Sequence, residues 1–206
     1  MGPAADLFCE MLSGECGIPD SVSRPVYTEL MGRGPKAQFD AVLRRVEAWD
    51  EALVEDLTQR YWLSSEADVP DLFSDVMEAL EDLHREGYTL VVSSGSIPRS
   101  VERKLRATGI ERFFQIALGS DEDSPALSKG PGHFAMIADA LSLSPTELSA
   151  TGVFIGDGVY DMQVARQADM LAVGRLTGDN GAVLKQAGAH HVIASLGELH
   201  PFLDTP

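Results

Sequence analysis

Through the first third of the chain, apolar residues recur at helical spacing. Leu7, Met11 and Leu12 share one side of a helix over residues 3–14, stopped by Gly14 and by Gly17-Ile18-Pro19. A second helix begins within 26–31. Phe39, Val42, Leu43, Val46, Trp49, Leu53, Val54 and Leu57 hold the period over 38–61, which predicts one long helix there. No strand is expected in this third. Residues 70–73 then lead into a helix over 75–85, ended by Gly87. Beyond it the pattern changes. Short β-rich apolar runs at 89–93, 114–118, 153–155, 170–173 and 191–193 alternate with helical stretches at 98–107, 134–141, 146–148, from 161 onward, and 182–186. Five strands alternating with helices predict an α/β, doubly wound, Rossmann-like parallel sheet. The expected division is a helical region over 1–72, lying as a lid over the carboxyl edge of a sheet domain over 73–206.

Bulk properties narrow the setting. A chain that is 44% hydrophobic and 23% charged has the composition of an ordinary globular domain. No apolar run approaches the roughly 20 residues of a membrane span. No basic region followed by an apolar core is read at the amino terminus. Cys9 and Cys16 are too few for a disulfide framework and lack zinc spacing, so a reducing cytoplasm is the default location. The net charge of −16 argues against nucleic acid, whose binding comes mainly from neutralising phosphates. Any phosphate ligand must be drawn in by local groups against that field.

Candidate chemistry gathers where strands hand over to helices. The run 153–155 passes through Gly156-Asp157-Gly158 into a helix carrying Asp161. Two carboxylates at the ligand-binding end of a parallel sheet make a seat for a hard cation such as Mg²⁺. The plainer alternative is that Asp161 caps its helix and Asp157 is a turn residue. The first core strand ends in Ser93-Ser94-Gly95-Ser96, with Pro98 opening a helix. Small hydroxyl residues, a glycine and free helix amides suit a phosphate, although the same residues serve as ordinary capping. Lys129, in Ser128-Lys129-Gly130-Pro131-Gly132-His133, is placed to neutralise a phosphate or steady a carboxylate, or is simply solvated. His133 is expected in a surface or capping role, with general acid as the alternative. In Gly32-Arg33-Gly34-Pro35-Lys36, Arg33 and Lys36 put two cations on a turn, to meet an anionic substrate or merely to face water.

Taken in order, a strand ending in Ser93, the loop Lys129 and Gly156-Asp157-Gly158-Val159-Tyr160-Asp161 resemble the second, third and fourth motifs of the haloacid dehalogenase superfamily. The tail from Ala187-Gly188-Ala189 to Leu196-Gly197-Glu198-Leu199 is similar to the end of phosphoglycolate-phosphatase-like members, and the helical first third resembles their inserted cap. The resemblance implies a phosphatase in which an aspartate attacks phosphorus and water cleaves the resulting aspartyl-phosphate. It implies Mg²⁺ held by Asp157, with Asp161 as a ligand or as an orienter of the ligands. It implies Ser93 hydrogen-bonding the phosphoryl group, with Ser94 and Gly95 beside it, and Lys129 offsetting the charge of phosphate and nucleophile. The implied partner is a small phosphate ester; a homodimer is allowed for, and neither nucleic acid nor membrane is expected.

One part of that pattern is not found. The family's Asp-x-Asp motif follows an apolar strand near the amino terminus, whereas this chain starts at Met1-Gly2-Pro3-Ala4-Ala5-Asp6. Without that central strand, the strands at 89–93 and 153–155 must pair directly or each face a gap. The expectations are a truncated start, a non-catalytic relative that binds a ligand or partner protein, or a strand supplied by another chain. Truncation is favoured. A dehalogenase on the same scaffold would need the same aspartate.

Overall fold

The computed structural model describes residues 3–65, 69, 71–121 and 124–203. Met1 and Gly2 of the amino-terminal stretch, and Pro70 ahead of the first core helix, lie outside the described residues. The chain divides into two compact units, Met1–Asp68 and Val69–Pro206.

The first unit is helical: α1 (Pro3–Cys16), α2 (Asp20–Glu29), α3 (Pro35–Arg45) and α4 (Glu51–Ser65). Phe8, Leu12, Phe39, Val42, Leu43 and Leu57 are fully buried in it, and the Phe8 and Phe39 rings stack at 4.6 Å. Two expectations need correction here. Helix α2 starts at Asp20 rather than within 26–31, carrying Pro25 in its interior. Its entry is held by Arg24, which reaches back one turn to Asp20 and across to Asp6 at 2.9 Å. The long helix over 38–61 is in fact two. Glu47 turns left-handed at φ 58°, and the Ala48 amide bonds back to the Leu43 carbonyl. Asp50 then caps the new helix by accepting from the Leu53 amide at 2.9 Å. Trp49 keeps the apolar period but sits at the surface, donating to Asp40 at 2.7 Å with the Arg44 guanidinium 4.2 Å above its ring. Cys9 and Cys16 are free thiols.

The second unit runs α5 (Val76–Arg85), β1 (Val91–Ser93), α6 (Pro98–Ala107), β2 (Ile116–Leu118), α7 (Pro131–Leu141), α8 (Pro145–Thr151), β3 (Val153–Gly156), α9 (Val159–Gln167), β4 (Leu171–Arg175), α10 (Gly181–Gln186), β5 (His191–Ile193) and α11 (His200–Leu203). All strand pairs are parallel, as strand–helix alternation requires. The unit is the expected doubly wound α/β fold, but its strands form two sheets rather than one: β2–β1, and β3–β4–β5.

The two sheets share the same covering layers. On one face, Val91 of β1 and Phe154 of β3 pack into a single cluster with Phe134, Ile137, Met162 and Val164. On the other, Leu90 and Val153 pack with Leu83, Val173 and Leu199. Strands β1 and β3 therefore lie side by side between common helical layers. Among the described residues no ladder joins them, so each keeps an edge facing the other. Ile155 of β3, an apolar residue, is 37% exposed. Away from this division, Asp75 ties the entry of α5 to distant segments. Its carboxylate accepts from Arg175 at 2.9 Å, from the Ser195 hydroxyl at 3.1 Å and from the Leu196 amide at 2.7 Å.

Candidate active site

The turn from β3 into α9 is built around Asp161. Gly156 and Gly174 are paired in register, and a Cβ on Gly156 would overlap the Asp161 side chain, so only glycine fits. Asp161 is 2% exposed. Its Oδ2 accepts from the Gly158 amide at 3.0 Å, closing the first turn of α9, and its Oδ1 lies 2.5 Å from Lys129 Nζ. The capping role and the charge role coexist in this one carboxylate. Lys129 is steered by its neighbours. Gly130 turns at φ 106°, where a side chain would press on Val164 at 3.1 Å, and the Tyr160 hydroxyl donates to the Lys129 carbonyl at 3.1 Å. Of the roles considered for Lys129, steadying a carboxylate is the one the geometry displays.

Asp157 stands at the end of β3. Burial pushes its carboxyl above the ordinary aspartate range, and the Asp161 charge adds to this, with Lys129 and the Thr177 side chain opposing. The turn after β4 closes on the same residue. Asn180 Nδ2 donates to the Asp157 carbonyl at 3.1 Å, and Asn180 Oδ1 accepts from the Thr177 amide at 3.3 Å.

Ser93 ends β1. Its Oγ lies 2.8 Å from His133 Nδ1, and His133 Nε2 lies 3.1 Å from the Gly119 carbonyl oxygen. His133 has 0% exposure, which overturns its expected surface or capping role. Helix α7 turns this side chain inward because the ring finds two polar partners in the core. Burial lowers its pKa, and Lys129 does so to a smaller degree, while the Gly119 and Leu127 carbonyls oppose the shift. The serine loop is less open than its sequence suggests. The Ser94 amide donates to Leu118 and the Ser96 amide to Ser94 Oγ, with half-buried Gly95 between them. Pro98, at the start of α6, has no amide hydrogen to offer.

Ser120 joins the parts. Its hydroxyl donates to the Ser94 carbonyl at 2.8 Å and accepts from the Lys129 amide at 2.9 Å. A series of contacts thus runs from the Ser94 carbonyl through the Ser120 hydroxyl and Lys129 to Asp161, while Ser93 is tied to His133 and Asp157 lies four residues before Asp161. Arg33 and Lys36 belong to the helical unit, where Lys36 Nζ is 3.3 Å from Glu55. His133, Ser120, Tyr160, Thr177 and Asn180 were not singled out for these positions from sequence. Thr177 and Asn180 had one signal, a polar Thr-Gly-Asp-Asn turn directly after a buried strand.

The donor set suits a small hard cation. No group of three or more His, Cys, Asp or Glu residues able to hold a metal is found among the described residues. Mg²⁺ commonly takes one or two carboxylates and keeps its remaining waters. Asp157, whose own charge is disfavoured by burial and by Asp161, is the carboxylate a cation would most relieve.

The family profile of the haloacid dehalogenase-like hydrolases matches residues 6–169. This chain belongs to that family. Among curated relatives, the chain is 33% identical over 105 residues to the pyrophosphatase PpaX of Listeria monocytogenes, covering 50% of this chain and 45% of that protein. It is 29% identical over 133 residues to a phosphoglycolate phosphatase of Haemophilus influenzae, covering 63% of this chain and 57% of that one. The match thus spans about half the length of these relatives. A solved hydrolase from Pseudomonas syringae superposes with a TM-score of 0.78 at 20% identity, covering 98% of this chain and 90% of that structure, a likeness of fold. Among the described residues, no helix is long and apolar enough to cross a membrane.

Proposed function

We propose that this haloacid dehalogenase-like hydrolase is a Mg²⁺-dependent phosphatase for a small phosphate ester. The observation that carries the reading is the contact series from Ser94, next to Ser93, through Ser120 and Lys129 to Asp161, beside Asp157 at the end of β3. The names of the curated relatives support phosphate chemistry.

In this reading Asp157 would hold Mg²⁺, with Asp161 as a ligand or as an orienter of the ligands while it fixes Lys129. The ion supplies neutralisation of the phosphoryl oxygens. Lys129 offsets the remaining negative charge, and Ser93, Ser94 and Gly95 line the phosphoryl position. The nucleophile is an aspartate on an apolar strand seated between β1 and β3. It forms an aspartyl-phosphate that water hydrolyses.

The test is hydrolysis of p-nitrophenyl phosphate with Mg²⁺. The chain alone should turn over little. Activity should appear when an apolar strand ending in Asp-x-Asp is fused upstream, and Asp157→Asn should remove it. A fused form inactive across many phosphate esters overturns the reading. A second reading, a non-catalytic ligand-binding relative, is favoured by the unjoined β1 and β3. It predicts phosphate binding with no turnover in either form.

A further inference from the structure

Asn180 stands at the N-cap of α10, yet its side chain makes no cap hydrogen bond to that helix. An asparagine in that place ordinarily accepts from an amide of the first turn. Here the side chain turns back toward the strands. Its Oδ1 accepts from the Thr177 amide at 3.3 Å. Its Nδ2 donates to the Asp157 carbonyl at 3.1 Å and to the Arg175 carbonyl at 3.4 Å. A backbone amide can only donate and a carbonyl oxygen can only accept, so these partners fix which end of the side chain is which. One residue thereby links the ends of β3 and β4.

The bond to Asp157 has a counterpart. The peptide unit between Asp157 and Gly158 is planar, and its carbonyl and amide point opposite ways. Asn180 holds the carbonyl, while Asp161 Oδ2 holds the amide at 3.0 Å. Gripped from both sides, that plane cannot turn without breaking a hydrogen bond, and it sets where the Asp157 side chain leaves the main chain. Thr177, whose amide Asn180 engages, also hydrogen-bonds the Asp157 carboxylate. We propose that Asn180 is a positioning residue for the cation site, pinning the Asp157 carboxylate in the narrow geometry that Mg²⁺ demands. Mg²⁺ requires near-octahedral contacts at about 2.0–2.1 Å, whereas Ca²⁺ accepts less regular ones at about 2.3–2.6 Å. A fixed carboxylate therefore favours Mg²⁺, and a loosened one gives up Mg²⁺ first. The inference rests on the reading of Asp157 as the Mg²⁺ carboxylate.

The test is separate titration of the full chain with magnesium chloride and calcium chloride at constant ionic strength, followed by the amide NMR shifts of Gly156 and Gly158. Asn180→Ala should weaken Mg²⁺ binding by about tenfold or more, the usual cost of losing a partner behind a metal ligand. Ca²⁺ binding should weaken clearly less, so the ratio of the two affinities falls. Ser144→Ala removes the capping box of α8 and serves as a control for general loss of stability in the same unit. It should leave the ratio unchanged. Mg²⁺ affinity unchanged in Asn180→Ala, an equal loss of both ions, or a ratio that falls as far in Ser144→Ala overturns the positioning role and leaves the cation site standing. Failure of the wild type to bind Mg²⁺ overturns both. The wild-type titration also gives a measurement independent of any variant. The Asn180 side-chain amide signals should shift in step with Gly158, and signals that stay still while Gly158 moves refute the proposal.

Discussion

His133 is the residue whose surroundings differ most from what its neighbours in sequence announce. Nothing in Gly130-Pro131-Gly132-His133 signals a core position; the partner that makes burial tolerable, Ser93, lies forty residues earlier. Asp157 and Asp161 were legible for the opposite reason. Glycines on both sides of Asp157 force a tight strand-to-helix turn, and that local geometry sets both acids at one end of β3. A pH dependence follows from His133. Burial holds its folded pKa below the unfolded value near 6.5, so the unfolded chain takes up the proton first as pH falls. The stability contributed by the neutral ring is complete above about 6.5 and declines through the more acidic window, by at most about 1.4 kcal/mol per pH unit. His190 is shifted the same way, mainly by burial, so the wild-type slope alone does not isolate His133. Urea denaturation of wild type and His133→Asn at pH 7.5 and pH 5 should show a shallower loss in the variant. Equal slopes would remove the buried neutral ring from the account.

Among the elements, boundaries were read best where a chemical punctuation mark stands at the end. Pro98 opens α6 where expected, and the helix runs to Ala107 as predicted. The division between α3 and α4 was hidden because Val46 and Trp49 continue the apolar period across it. Periodicity reports which residues avoid water; it does not report a single left-handed residue such as Glu47, nor an indole that finds Asp40 and Arg44 at the surface. The entry of α2 lies ahead of Pro25, and the Arg24 contacts that support its first turn are invisible in a linear pattern. If Asp50 is the cap that restarts the chain as α4, Asp50→Ala should destabilise the helical unit by about 1 kcal/mol. Asp50→Asn or Asp50→Ser should restore most of it. Thermal melts followed by circular dichroism measure both, and a loss that serine fails to recover would point to some other role for the carboxylate.

For the whole molecule, the strand–helix alternation made the parallel α/β architecture readable, and the split into two sheets is one of the two outcomes expected of strands β1 and β3 without a central strand between them. Among the described residues no ladder joins the facing edges of β1 and β3, with part-exposed Ile155 beside them, and an unjoined strand edge invites an extended segment. The surplus of acid, −16 on 206 residues, opposes the approach of two copies through a repulsion whose range dissolved salt controls. The screening length is about 30 Å at 0.01 M and about 3 Å at 1 M. Raising sodium chloride through that range should therefore clump this protein, contrary to the usual salting-in of a charged chain, and light scattering should climb with ionic strength. A short apolar peptide lodged along the seam should suppress the rise. Scattering that stays flat in high salt would mean the seam is already closed to strangers, by shape rather than by charge.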